Sequence, residues 1–133
     1  MTHRTIHIRG WRVDVFISDE RWPYLDEVVG CLKSIGADAG IIDKAVDAMG
    51  SGEPNRAFTF SNGGRTCIWI GWTTSGSEFI NSMIHEIRHL VDHIAAYYGI
   101  ENNEAVGYMS GDAAFALAED ICMHGCPCCG KED

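Results

Sequence analysis

Apolar and polar side chains alternate through Thr5-Ile6-His7-Ile8 and Trp11-Arg12-Val13-Asp14-Val15-Phe16-Ile17, on either side of Gly10. A period of two is that of a half-buried strand, so residues 5–17 are predicted to form a β-hairpin. The period then lengthens. A helix is predicted over roughly 21–35, capped by Ser18 or Asp19, tolerating Pro23 in its first turn and ending at Gly36. A shorter helix over Ile41–Met49 stops at Gly50-Ser51-Gly52-Glu53-Pro54. Arg56–Phe60 and Thr66–Trp72 flank Ser61-Asn62-Gly63-Gly64, the clearest hairpin signal in the chain. Ser75-Gly76-Ser77-Glu78 has the S-x-x-E form of a capping box and opens a long helix. Its apolar stripe is Phe79, Met83, Ile87, Leu90, Val91, Ile94 and Tyr98, and Gly99 supplies a stop. Asn102 or Asn103 caps a last helix running to about Cys122, whose Ala113, Ala114, Ala116 and Ala118 allow close packing on the helix before it. Together these segments predict an α+β fold, a small antiparallel or mixed sheet from two hairpins packed on helices.

Composition narrows the class. A chain of 133 residues with 46% hydrophobic and 22% charged side chains has the make-up of one globular domain. No run of 18 apolar residues is present, and Met1-Thr2-His3-Arg4 is not followed by a signal-peptide core, so a soluble cytoplasmic protein is expected, without a membrane partner. A net charge of -9 without a Lys/Arg cluster argues against nucleic-acid binding, because nothing would neutralise phosphates. The domain is expected to span 1–121, followed by a tail over 122–133. Cys122, Cys126, Cys128 and Cys129 put four of the six cysteines into eight residues of that tail. In a reducing compartment thiolate chemistry is a more natural reading than disulfides, but the spacing is not that of a zinc finger. A second metal site, redox chemistry and a mobile terminus all stay open there. Cys31 reads as a small buried apolar residue, and His3 and His7 as surface positions.

The candidate chemistry lies in the long helix, at His85-Glu86-Ile87-Arg88-His89. Residues four apart share a helical face, so His85 and His89 can place two imidazole nitrogens on one metal ion. Glu86 falls about 100° round the helix, off the ligand position yet within reach of a metal-bound water. A catalytic zinc needs a third protein ligand and an open site. Glu104, in the first turn of the next helix, offers a carboxylate, and Tyr108 shares its face one turn on. His93 cannot join both other histidines, since it stands about 12 Å of rise from His85. Asp92 is read either as a hydrogen-bond acceptor behind the ligands or as a surface charge.

His85-Glu86-x-x-His89 followed by Glu104-Ala105-x-x-Tyr108-x-x-Gly111 resembles the gluzincin arrangement of zinc metallopeptidases. More narrowly, it resembles small zincin-like proteins of phages and mobile elements, distantly similar to the peptidase domain that cleaves phage repressors. The resemblance spans roughly residues 75–120. It implies a minimal zincin-like fold, zinc held by His85, His89 and Glu104, Glu86 as general base, Tyr108 as a transition-state donor, and a peptide or protein substrate. Such enzymes bind extended peptide along a free strand edge. If strand 66–72 is that edge, Trp69 or Trp72 would line a subsite, and otherwise both are core. The alternative from another class is a non-catalytic metal-binding or interaction module that keeps the same shell.

Overall fold

A computed structural model describes residues 2–18 and 25–125. The first hairpin forms as expected, with β1 (Thr2–Ile8) and β2 (Trp11–Ile17) antiparallel about Arg9-Gly10. Helix α1 (Leu25–Ile35) ends at Gly36, whereas the expected helix start, with Asp19 and Pro23, lies outside the described residues. Helix α2 (Ala39–Gly50) is capped by Asp38, whose carboxylate accepts from the Ile41 N–H at 2.9 Å. The second hairpin pairs β3 (Ala57–Asn62) with β4 (Arg65–Ile70) through Gly63-Gly64. Both glycines have positive φ, +57° and +83°, as a two-residue hairpin turn that follows strand twist requires.

The strand order is β1-β2-β4-β3, with β2 and β4 parallel and both hairpins antiparallel, so the sheet is mixed. This corrects the expected edge. Strand β4 lies inside the sheet between β2 and β3, and the edge strands are β1 and, on the side of the second hairpin, β3.

Alternation along the strands feeds two cores. Val13, Val15, Ile17, Ile68 and Ile70 meet α3 (Gly76–Tyr98) and α4 (Asn103–Ala116) on one face. Phe16, Cys67 and Trp69 meet α1 and α2 on the other, where Phe58 stacks on Trp69 at 5.5 Å. Trp69 is therefore a core residue on the face away from α3 and lines no subsite beside that helix. Trp72, beyond the strand, donates its indole N–H to the Gly52 carbonyl at 3.2 Å.

Helix α3 carries the expected signals at both ends. The Ser75 hydroxyl accepts from the Glu78 N–H at 3.1 Å, and Gly99 closes the helix in the left-handed region at φ +68°. The predicted single last helix is instead two. Helix α4 ends at Leu117 and α5 (Ala118–Gly125) turns away, carrying Cys122 and His124. No Pro or Gly breaks it. Tertiary contacts do, because the turn lets buried Asp120 meet Arg4 of β1 at 3.0 Å and brings α5 onto the start of α3, where His124 packs on Phe79. Cys126, Cys128 and Cys129 lie outside the described residues.

Candidate metal centre at the β3 edge

Helix α3 lies over β3 and β4, and α4 lies over β1. Nine residues of the α3 face are buried, from Phe79 to Ala95, and Glu86 is among them at 5% exposure. Glu86 is on the flank of this face nearest β3. Its carboxylate accepts the Thr59 hydroxyl at 2.8 Å, a contact made by the edge strand itself. His85, the residue before it, and His89, three residues on, project next to each other from the adjoining, exposed side of the helix.

The two imidazoles converge. Their Nε2 atoms stand 3.0 Å apart, and two nitrogens on one tetrahedral zinc would be separated by about 3.3 Å, given Zn–N bonds of about 2.0–2.1 Å. The Glu86 carboxylate lies 4.0 Å from His85 Nε2. His85, whose side chain is 66% exposed, is more open to solvent than the half-buried position its spacing suggests. A cavity of about 250 Å³ opens beside His85 and Glu86, its other walls formed by Asn55, Arg56, Ala57, Asn81 and Ser82.

His93, one turn beyond His89, belongs to a different network. The Trp11 indole can only donate, and it donates to Thr66 Oγ1 at 2.7 Å. Thr66 then shares a 2.7 Å hydrogen bond with Ser61 Oγ, which stands 2.6 Å from His93 Nδ1. Thr66 Oγ1 has a hydrogen and a second lone pair beyond the bond from the indole, so the Thr66–Ser61–His93 chain can run in either direction with the tautomer of His93. Burial, and then the neighbouring His89, hold the His93 pKa below its ordinary value, against the pull of Asp92. Asp92 itself pairs with Arg88 at 3.0 Å on the exposed side of the helix and acts as a surface charge.

Glu104 and Tyr108 are not brought to this cluster. The Asn102 side chain caps α4, accepting from the Glu104 N–H at 2.8 Å, as expected. Helix α4, however, buries Met109 and Ala113. Glu104 falls about 180° round the helix from Ala113, and it and Tyr108 are exposed on the outer face. Helix α3 also continues nine residues past His89, a rise of about 14 Å, before the chain turns back. Among the described residues, no three His, Cys, Asp or Glu side chains group as a metal site.

Sequence reasoning missed Thr59 and Ser61. Both lie on the edge strand with side chains toward α3, a placement that depends on strand order, which no local pattern encodes. No family model, curated protein or solved structure matches the chain.

Proposed function

We propose that the protein is a zinc-dependent peptide hydrolase, acting on an extended segment laid beside β3. The observation that carries this reading is the convergence of His85 and His89 Nε2 atoms at 3.0 Å, next to a buried carboxylate and a cavity along a free strand edge. Two imidazole nitrogens at this distance fit zinc in chemistry and in spacing. In this proposal His85 and His89 hold the ion, and Glu104 is the third ligand that the resemblance implies.

Bound there, zinc would supply Lewis acidity and lower the pKa of its water toward about 7. Glu86 takes the proton from the attacking water and returns it to the leaving amine. The Thr59 hydroxyl fixes one carboxylate oxygen and leaves the other for that transfer. Tyr108 is assigned the donor role for the developing oxyanion that the resemblance implies.

A second reading is favoured by one observation, the exposure of Glu104 and Tyr108 on the outer face of α4. On this reading the histidine pair belongs to a non-catalytic metal-binding or interaction module. One experiment separates the two. Zinc-loaded protein is incubated with a mixed peptide library, new termini are mapped by mass spectrometry, and Glu86→Gln is run in parallel at matched zinc content. Cleavage that disappears in Glu86→Gln supports the hydrolase. Zinc binding without cleavage selects the module, and absence of zinc binding refutes both.

A further inference from the structure

We infer that β3 selects extended peptides bearing a large apolar side chain flanked two residues away by acidic ones, and that the apolar side chain enters a pocket between β3 and α2. This rests on the reading of β3 as the substrate edge and names the substrate class.

Hairpin register fixes which backbone groups face outward. In the β3–β4 hairpin, Asn62 pairs with Arg65 across a two-residue turn, and the Gly71 N–H donates to the Arg56 carbonyl at 2.8 Å. Residues 56, 58, 60 and 62 thus spend their backbone groups on β4. Ala57, Thr59 and Ser61 present their N–H and C=O groups to the open side, and among the described residues no strand pairs there.

A peptide adding to this edge alternates its side chains between the two faces of the sheet. Residues opposite Ala57, Thr59 and Ser61 project toward α3. On that face cavities of about 250 Å³ and about 550 Å³ lie at the two ends of the strand. Residues opposite Phe58 and Phe60 project toward α2, into a cavity of about 270 Å³ whose walls include Leu32, Ile41, Ala45, Ala48, Phe58 and Phe60. That lining is apolar, and the volume suits a Leu, Met or Phe side chain.

Charge sets the neighbours. Lys44 and Arg56 also line this cavity in a protein of net charge -9. Arg56 shares its charge with Glu53 at 3.0 Å, which leaves Lys44 as the main attraction. Positions two residues either side of the anchor lie on the same face, so a carboxylate there complements the cationic rim. The overall acidity of the chain favours basic partners elsewhere, but this pocket reverses the preference locally.

The test is binding of a fluorescein-labelled linear peptide containing Glu-Ala-Leu-Ala-Glu to Glu86→Gln protein, read by anisotropy so that no cleavage is needed. Replacing the central Leu by Ala is expected to weaken binding about tenfold, the worth of one well-buried aliphatic side chain. Replacing both Glu by Lys is expected to weaken it further, and Lys44→Glu on the protein side should reverse the preference between the Glu and Lys peptides. Ala48→Phe, which fills the cavity, should remove the Leu-over-Ala preference while the helical circular dichroism is kept. Equal affinity for the Leu and Ala peptides overturns the inference, whatever the fate of the variants. If the selective binding is seen but wild-type protein cuts no peptide, the pocket stands and the hydrolase reading falls. If cutting is seen without any apolar or acidic preference, the reverse holds.

Discussion

Replacing Glu86 by Gln tests whether this carboxylate is kept for chemistry or for the fold. The residue is 5% exposed and accepts one hydrogen bond, from Thr59 at 2.8 Å. A glutamine carbonyl accepts the same bond, though hydrogen bonds to a charged group are stronger by about 1 kcal/mol than those between neutral ones. Against that loss stands relief of desolvation, which amounts to several kcal/mol for a fully buried ion and less here, where Glu86 lines an open cavity. A net gain of about 1 kcal/mol is expected in metal-free protein. With an unfolding entropy of about 2.1 cal/mol/K per residue, a chain of 133 residues converts this to a rise in Tm of about 4 °C. Calorimetry in EDTA at neutral pH measures it directly. Thr59→Val supplies a control, since it should cost about 2 kcal/mol beside Glu86 and about 1 kcal/mol beside Gln. A fall in Tm for Glu86→Gln would show that the charge stabilises the fold, and would remove the argument that it is retained for proton transfer.

Three further outcomes follow from the rest of the molecule. Burial pushes the Asp14 carboxyl up, but hydrogen bonds from Thr5 and His3 and the charge of Arg12 outweigh it and hold the pKa below the usual carboxylate value. The stability this gives is full above about pH 4, the unfolded value, and is lost as pH falls through the lower folded value; Asp14→Asn should flatten this acid limb in urea titrations and cost about 2 kcal/mol at pH 7. The Cys31 thiol has its pKa lowered by its contact with Cys67, against burial, whereas Cys67 is pushed up by Cys31 and by burial, so iodoacetamide with peptide mapping should find Cys31 alkylated well before Cys67; equal rates would contradict the shared contact. A Cβ on Gly76 would collide with the Gly125 backbone where α5 closes on α3, and Gly76→Ala should lower the urea midpoint by the equivalent of about 1–3 kcal/mol; an unchanged midpoint would place α5 elsewhere.

The elements with strong local signals were legible. Alternation in Trp11–Ile17, the Gly63-Gly64 turn, the Ser75 cap and the Gly99 stop each act within a few residues, and each appears where the pattern puts it. Convergence of His85 and His89 was legible for the same reason, being a property of one helical turn. What local pattern does not encode is which elements become neighbours. Strand β4 carries the more apolar sequence, and that is because it is interior; the edge strand β3 has partly buried residues at all but its last position. The break at Leu117 leaves no mark in composition, since it is produced by the reach of Asp120 to Arg4, a contact between distant parts of the chain. Trp69 and Trp72 looked alike, and only strand order separated a core indole from one tied to Gly52.

The position of Glu104 gives the sharpest remaining prediction. The histidine pair sits on the β3 flank of α3, whereas α4 packs over β1 with Met109 and Ala113 inward. For Glu104 to complete a zinc site, α4 must turn its outer face toward the pair, which means giving up part of that burial. Binding energy from the metal would have to supply the difference, and the protein would then couple zinc to the packing of α4. Hydrogen exchange reads this coupling segment by segment. If Glu104 is the third ligand, zinc should change protection across residues 103–116 as well as around 82–93, and Glu104→Ala should abolish the α4 response while weakening zinc strongly. Protection confined to α3 and β3, with zinc affinity unchanged in Glu104→Ala, would remove Glu104 from the site. The histidine pair and Glu86 would remain, with the third donor to be sought on the β3 side of α3.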